Sequence, residues 1–269
     1  MSGIIQSMKR MLLVFAHPDD ESFSSAATIA KYSKMGWEIN LICATRGEKG
    51  ETGPLGDKTP EELGIIRTKE LENAASYLGI STITFLKYMD GTLESDPPGE
   101  LEEIVYQKLV ELVPDVVITF DTSGISNHPD HIRLSFATTF AFQKYAFQIQ
   151  NALKDNPEYD EEAAPKLYYA CVPETTVEYL KKKKIFPEES FGKPWLGTPD
   201  KFITTAISAE GFQQLKKKAL KCHVSQSADV DRFLSLQHNP LVKQEYYIFR
   251  MHGVREIFMG KHDRVATKL

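Results

Sequence analysis

The chain has 269 residues, of which 42% are hydrophobic and 26% charged, with a formal net charge of −5 at pH 7. That composition is of the soluble globular kind, and a negative charge with no basic, aromatic-interleaved stripe excludes general affinity for nucleic-acid phosphates. Cys43, Cys171 and Cys222 lie far apart with no C-x-x-C spacing, which excludes a disulfide framework and a structural zinc knuckle and makes a reducing cytoplasm the expected compartment. Residues 1–10 read as a loose leader. Lys9 and Arg10 precede an apolar run as in a signal peptide, but that run stops after six residues at His17 and three acids, and no segment is long enough to span a bilayer.

In chain order, residues 11–16 are a short, continuous apolar run and read as a buried strand, closed by a turn containing Pro18, Asp19 and Asp20. Residues 21–35 carry a helical apolar stripe stopped by Gly36, and 37–45 read as the next strand. The glycine-rich stretch 46–56 is a loop. Thr59-Pro60-Glu61-Glu62 has an N-cap, a proline at the first helical position and a glutamate at the third, so a helix carrying Arg67 starts there and ends near Gly79. Strands follow over 82–88 and 116–120, separated by the turn Met89-Asp90-Gly91 and a helix over 100–112. Residues 131–150 predict a long, mostly buried helix, and 151–165 an exposed connection. Strands are expected over 166–172, 202–208 and 245–251, and an irregular surface loop over 187–199.

Strands alternating with long helices predict an α/β fold: a Rossmann-like, three-layer arrangement with a mostly parallel sheet and the site at the C-terminal strand edge. The whole chain, 1–269, is expected to form one unit, with 151–269 completing the sheet and pocket. In the common order 3-2-1-4-5, strands one and four are neighbours. His17-Pro18-Asp19-Asp20-Glu21 and His128-Pro129-Asp130-His131, distant in sequence, then meet where the chain reverses direction. His17 and Asp20 offer two ligands and the second cluster a third plus a spare histidine. Three N/O ligands with an open position for a reactive water are the pattern of a catalytic zinc, and ferrous iron suits the same donors.

These paired motifs resemble the LmbE-like, PIG-L type of zinc-dependent N-acetylglucosaminyl deacetylase. The likeness extends through Thr45-Arg46-Gly47-Glu48, Arg67 with Glu70, Asp90-Gly91, and Lys218-Ala219 through His223, Ser225 and Gln226. It implies that His17, Asp20 and His131 bind zinc, that Asp19 is the general base, that His128 stabilises the oxyanion or donates a proton, and that Arg67 and Asp90, with Glu48 in the adjoining loop, contact the sugar. Ser126-Asn127 departs from the tyrosine and glycine that many relatives place there.

The chemistry asks for these residue types in its own right. Hydrolysis of an amide needs a base, a donor for the developing oxyanion and a protonated group facing the leaving nitrogen. Asp130 is placed to orient the His128 imidazole. Each residue also has a purely structural reading: Glu21 at a helix N-terminus, His128 as a helix cap, Arg67 paired with Glu70, Asp90 in a tight turn, His223 lining the interior. His238, His252 and His262 lack partners in sequence. The expected activity is removal of the N-acetyl group from an N-acetylglucosamine-containing small molecule or glycoconjugate. The alternatives are an amidase for a larger acyl group, a metal-dependent sugar-binding module, and a nucleotide-binding protein, the last disfavoured by the missing phosphate loop. The expected partner is a small amino sugar rather than nucleic acid or membrane, and a homo-oligomer stays open.

Overall fold

The structure, a computed structural model, describes residues 8–156, 161–257 and 266–269. His262 and the first seven residues of the expected leader lie outside them. Of that leader, Lys9 pairs with Asp115 at 2.7 Å and Arg10 opens the first strand.

β1 (Arg10–Phe15) is buried at every position after its first. The single helix expected over 21–35 is two, α1 (Asp20–Ser24) and α2 (Ala26–Lys34), because Ser25 at φ −140° leaves the helical region. Groups from far along the chain hold this break. Glu245 accepts from the N–H groups of Ala27 and Thr28 at 2.9 and 2.8 Å, donors that a helix start leaves without partners. Lys216 lies 2.7 Å from Glu245 and donates to the Phe23 carbonyl at 2.9 Å. Both charges are fully buried, and each is paired and hydrogen-bonded, as buried charges must be.

β2 (Glu38–Cys43) leads through the glycine-rich loop to α3 (Pro60–Leu78). Its capping box between Thr59 and Glu62 forms as the sequence predicts, and Gly79 ends it at φ 78°. β3 (Thr82–Phe85) is shorter than expected, whereas α4 (Glu100–Leu112) and β4 (Val116–Phe120) keep their expected bounds. After the irregular turn α5 (Gly124–Asn127), α6 (Pro129–Leu153) begins two residues before position 131. β5 (Lys166–Cys171) and α7 (Glu174–Lys182) precede the stretch read as an irregular loop. That stretch contains a small hairpin, β6 (Glu189–Ser190) and β7 (Lys193–Pro194). Its turn residues Phe191 and Gly192 have φ of 51° and 70°, and two positive φ values are what a tight hairpin requires. Asn-Gly is the usual signal for that turn; phenylalanine in the first place conceals it. β8 (Thr205–Ser208), α8 (Gln213–Cys222), α9 (Ser227–Ser235), α10 (Pro240–Lys243), β9 (Gln244–His252) and β10 (Arg255–Glu256) complete the elements.

The sheet runs β10-β9-β5-β4-β1-β2-β3, with β8 also on β9, so the first five strands take the expected order. They are parallel; β9 is antiparallel to β5 and β8. Right-handed crossovers put α2 and α3 on one face, where α8 joins them, and α4 and α6 on the other. β1 and β4 pair in register, Met11 with Val116 through Leu13 with Ile118, which sets their C-terminal ends side by side. The main core fills the space between sheet and helices, and a smaller apolar cluster, whose buried members come from the C-terminal half, packs against Phe23 and Ile125. No helix among the described residues is long and apolar enough to cross a membrane.

Candidate active site

The two charged clusters meet beyond β1 and β4. His17 Nδ1 lies 3.0 Å from His131 Nε2 and 3.7 Å from Asp20 Oδ2, and His131 Nε2 lies 3.3 Å from Asp20 Oδ1. Donors bound to one tetrahedral ion at about 2.0–2.2 Å stand roughly 3.3–3.5 Å apart, so this spacing fits a single metal. The remaining donor atoms are held. His131 Nδ1 faces the Gly124 carbonyl at 3.1 Å, and His17 Nε2 faces Asp90 at 3.0 Å and Asp130 at 3.3 Å. Such partners fix the ring nitrogen that is left for a metal. His17 with His128 and His131, and His17 with Asp90 and Asp130, also bring one donor atom each to within 4.8 Å of one another. In the latter group the carboxylates approach His17 from its Nε2 side, and in the former the His128 Nδ1 atom takes the Asp130 N–H at 3.2 Å.

Charge balance supports the same fit. Asp19, Asp20, Asp90 and Asp130 all border the cleft, and Arg67 is the guanidinium set among them. Burial raises the Asp19 pKa against the pull of Arg67, and raises that of Asp20 against the pull of His17. Burial opposes a charge on His17, but hydrogen bonds to Asp130 and Asp90 bring its pKa up to about 10. A buried group of carboxylates short of cations is stabilised by a divalent ion.

Asp19 is the most constrained residue of the site. Its φ of 125° is sparsely populated outside glycine, a conformation costing about 1–3 kcal/mol that persists only where the surroundings impose it. Here its N–H donates to Glu21 at 3.0 Å, and its carbonyl accepts from Ser22 and Phe23 at 2.9 and 3.0 Å. Arg67 Nη2 donates to the Asp19 carboxylate at 3.0 Å and to the Pro18 carbonyl at 2.6 Å, while Nη1 donates to the Gly47 carbonyl at 3.0 Å. Glu21 lies in the first turn of α1, as its structural reading had it, and is buried against His223 at 3.0 Å, a pairing the sequence did not suggest.

His128 is the N-cap of α6. Because its Nδ1 accepts from Asp130 N–H, the neutral ring carries its proton on Nε2, and burial together with His131 and His17 holds its pKa low. The Asp130 carboxylate does not orient this ring. It accepts from Gly91 N at 2.7 Å and Leu93 N at 3.1 Å and reaches His17, tying the turn after β3 to that ring.

The three residues expected to contact a sugar serve the chain's own loops. Arg67 is buried with three of its hydrogen bonds made to Pro18, Asp19 and Gly47. Asp90 borders the cavity but offers one oxygen to His17 and the other to Lys49 N at 3.1 Å. Glu48 accepts from Arg46 N and Asp90 N, both at 3.2 Å, joining the glycine-rich loop to the turn after β3.

Sequence reasoning missed the hairpin as a wall of the site. Phe191 packs edge-on against His128 at 4.4 Å between ring centres. Asn127 Nδ2 donates to the carbonyls of Ser190, Lys193 and Pro194 at 3.2–3.4 Å, and Trp195 Nε1 to that of Ile125 at 2.6 Å. Asn127 has φ 63°, a conformation that asparagine tolerates better than most side chains, and its side chain anchors the hairpin. The walls enclose a cavity of about 790 Å³.

The PIG-L family profile, described as GlcNAc-PI de-N-acetylase, matches residues 12–142. The 1D-myo-inositol 2-acetamido-2-deoxy-alpha-D-glucopyranoside deacetylase of Thermobifida fusca is 32% identical over 276 residues, covering 91% of this chain and 93% of that protein. Among solved structures, the N,N'-diacetylchitobiose deacetylase of Pyrococcus horikoshii superposes with a TM-score of 0.62 at 21% identity, over 92% of this chain and 85% of that one. The 4-carboxy-2-hydroxymuconate hydratase of Pseudomonas putida does so with 0.62 at 19%, over 93% and 100%. A deacetylase and a hydratase fitting equally well shows that these likenesses establish the fold alone. The profile and the full-length relative go further, and they match the two motifs that the fold brings together here: the chain belongs to the PIG-L, or GlcNAc-PI de-N-acetylase, family.

Proposed function

We propose that this protein is a zinc-dependent hydrolase that removes the N-acetyl group from an N-acetylglucosamine-containing small molecule or glycoconjugate. The carrying observation is the convergence of His17, Asp20 and His131, drawn from motifs more than a hundred residues apart, with Asp19 beside the donors but held by Arg67. The full-length likeness to a deacetylase of an inositol-linked N-acetylglucosamine supports the substrate class. His17, Asp20 and His131 would hold the metal, zinc or ferrous iron. Bound there, it supplies Lewis acidity that activates water and polarises an amide carbonyl.

The residues do the rest. Asp19, fixed by Arg67, takes the proton from water as the new C–O bond forms, and returns it to the amine as the C–N bond breaks. His128, which lines the cleft, would offer its Nε2–H to the carbonyl oxygen as negative charge grows on it. Asp90 and Asp130 hold His17. The free thiols of Cys43, Cys171 and Cys222 accord with action in the cytoplasm.

Elemental analysis of the purified protein is expected to find about one zinc or iron per chain. Incubation with N-acetylglucosamine glycosides is expected to release acetate and free amine in equal amounts. Metal-loaded protein that releases acetate from none of them contradicts the proposal.

A further inference from the structure

We infer that the catalytic cavity contains an apolar subsite, and that the substrate carries an aliphatic or aryl group that fills it. The inference rests on the amino-sugar reading of the site and extends it to the rest of the ligand. An N-acetylated sugar alone is smaller than a drug-sized ligand, for which cavities of about 300–1,000 Å³ are usual, yet this cavity measures about 790 Å³. Polar side chains such as Gln226, Asp229 and Arg232 line part of it, but one side is apolar. Phe23, Ile125, Phe186, Trp195, Phe233 and Tyr246 all line it, and all belong to the smaller apolar cluster, so they form one continuous wall. Phe186 stacks on Trp195 at 4.0 Å and Phe23 meets Phe233 edge-on at 5.2 Å.

The polar atoms on this wall already have partners. Trp195 Nε1 is bound to Ile125 O, Tyr246 OH to Gln244 at 3.2 Å, and Lys216 Nζ to Phe23 O and Glu245. A polyhydroxylated substituent entering here would lose its hydration without gaining hydrogen bonds, whereas an apolar one would gain from leaving water. The apolar group arrives either as the substituent at the anomeric oxygen or as the acyl chain on nitrogen.

Three substrates separate these sources: the methyl and octyl glycosides of N-acetylglucosamine, and the methyl glycoside of N-octanoylglucosamine. One octyl compound is expected to exceed the methyl glycoside of N-acetylglucosamine in kcat/KM by at least about tenfold, the least that a methylene in an apolar pocket contributes. Which compound it is identifies the source. Phe23→Ala and Phe186→Ala are each expected to reduce that ratio several-fold. Equal kcat/KM for all three substrates overturns the subsite, as does a preference that neither variant moves. Calorimetric titration with the octyl and methyl glycosides reads the subsite apart from turnover. If no compound is hydrolysed, the deacetylase reading fails, while at least tenfold tighter binding of the octyl glycoside still supports the subsite and equal binding overturns it.

Discussion

Adding one methyl group at Gly50 tests whether Arg67 matters through Asp19. A Cβ there would lie 2.3 Å from Arg67 Nη1 and 3.3 Å from its Cζ. Ordinary contact needs about 3.5 Å, so the guanidinium must retreat by roughly 1 Å. Gly50 is not among the residues with positive φ, so Gly50→Ala acts through this contact rather than through backbone strain. The retreat stretches the 3.0 Å bond to the Gly47 carbonyl past hydrogen-bonding range and disturbs the pair on Asp19. Losing one such charge-assisted bond costs about 1.5–3 kcal/mol of stability. A catalytic carboxylate misplaced by about 1 Å loses on the order of 100-fold in kcat. Metal content should not change, since no metal donor moves. In an Arg67→Ala background the methyl meets only Gln226 Nε2, at 3.3 Å, the tip of a side chain that can give by a few tenths of an ångström, so Gly50→Ala should then have a much smaller effect. A double-mutant cycle read by kcat and by the thermal midpoint measures this coupling. Additive effects, or a Gly50→Ala enzyme of normal kcat, would refute the proposed route from Arg67 to Asp19.

The two adjacent acids should separate in a similar way. Asp19→Asn is expected to keep the metal and lose about 10²–10⁴-fold in turnover, whereas Asp20→Ala should lose the metal, as elemental analysis of both variants would show. At His128 the cap and the donor can be divided: His128→Asn, a good N-cap, should nearly preserve the melting temperature while turnover falls, and His128→Ala should also lose about 1 kcal/mol of stability. Equal melting temperatures for those two variants would mean that the bond from Asp130 N–H contributes nothing to α6.

The parallel sheet, its first five strands and the meeting of the two motifs were legible in the sequence, because buried runs such as 116–120 and the capping signal at Thr59 are local patterns. The roles of the polar residues around the site were not. Arg67, Asp90 and Glu48 stand where a sugar contact would be expected, but a residue type and a position do not reveal which way a side chain turns. Their partners, the carbonyls of Pro18 and Gly47, His17, and the backbone N–H groups of Lys49, Arg46 and Asp90, depend on the folded loops. The break at Ser25 was hidden for the same reason. Its stabilising groups, Lys216 and Glu245, lie 193 and 218 positions from Phe23 and Ala27.

That break also shows how the chain divides its tasks. The profile match ends at residue 142, and all of the proposed metal donors and the base lie inside it. Yet the short turn carrying Asp20 is braced from behind by Lys216 and Glu245, and most of the apolar wall comes from beyond residue 180. A fragment ending after α6 would keep both charged motifs and lack the brace. Substitutions on the wall at Phe186, Trp195 or Phe233 would leave the donor atoms of the first half in place, whereas a change at Lys216 or Glu245 alone would leave the other charge buried and unpaired.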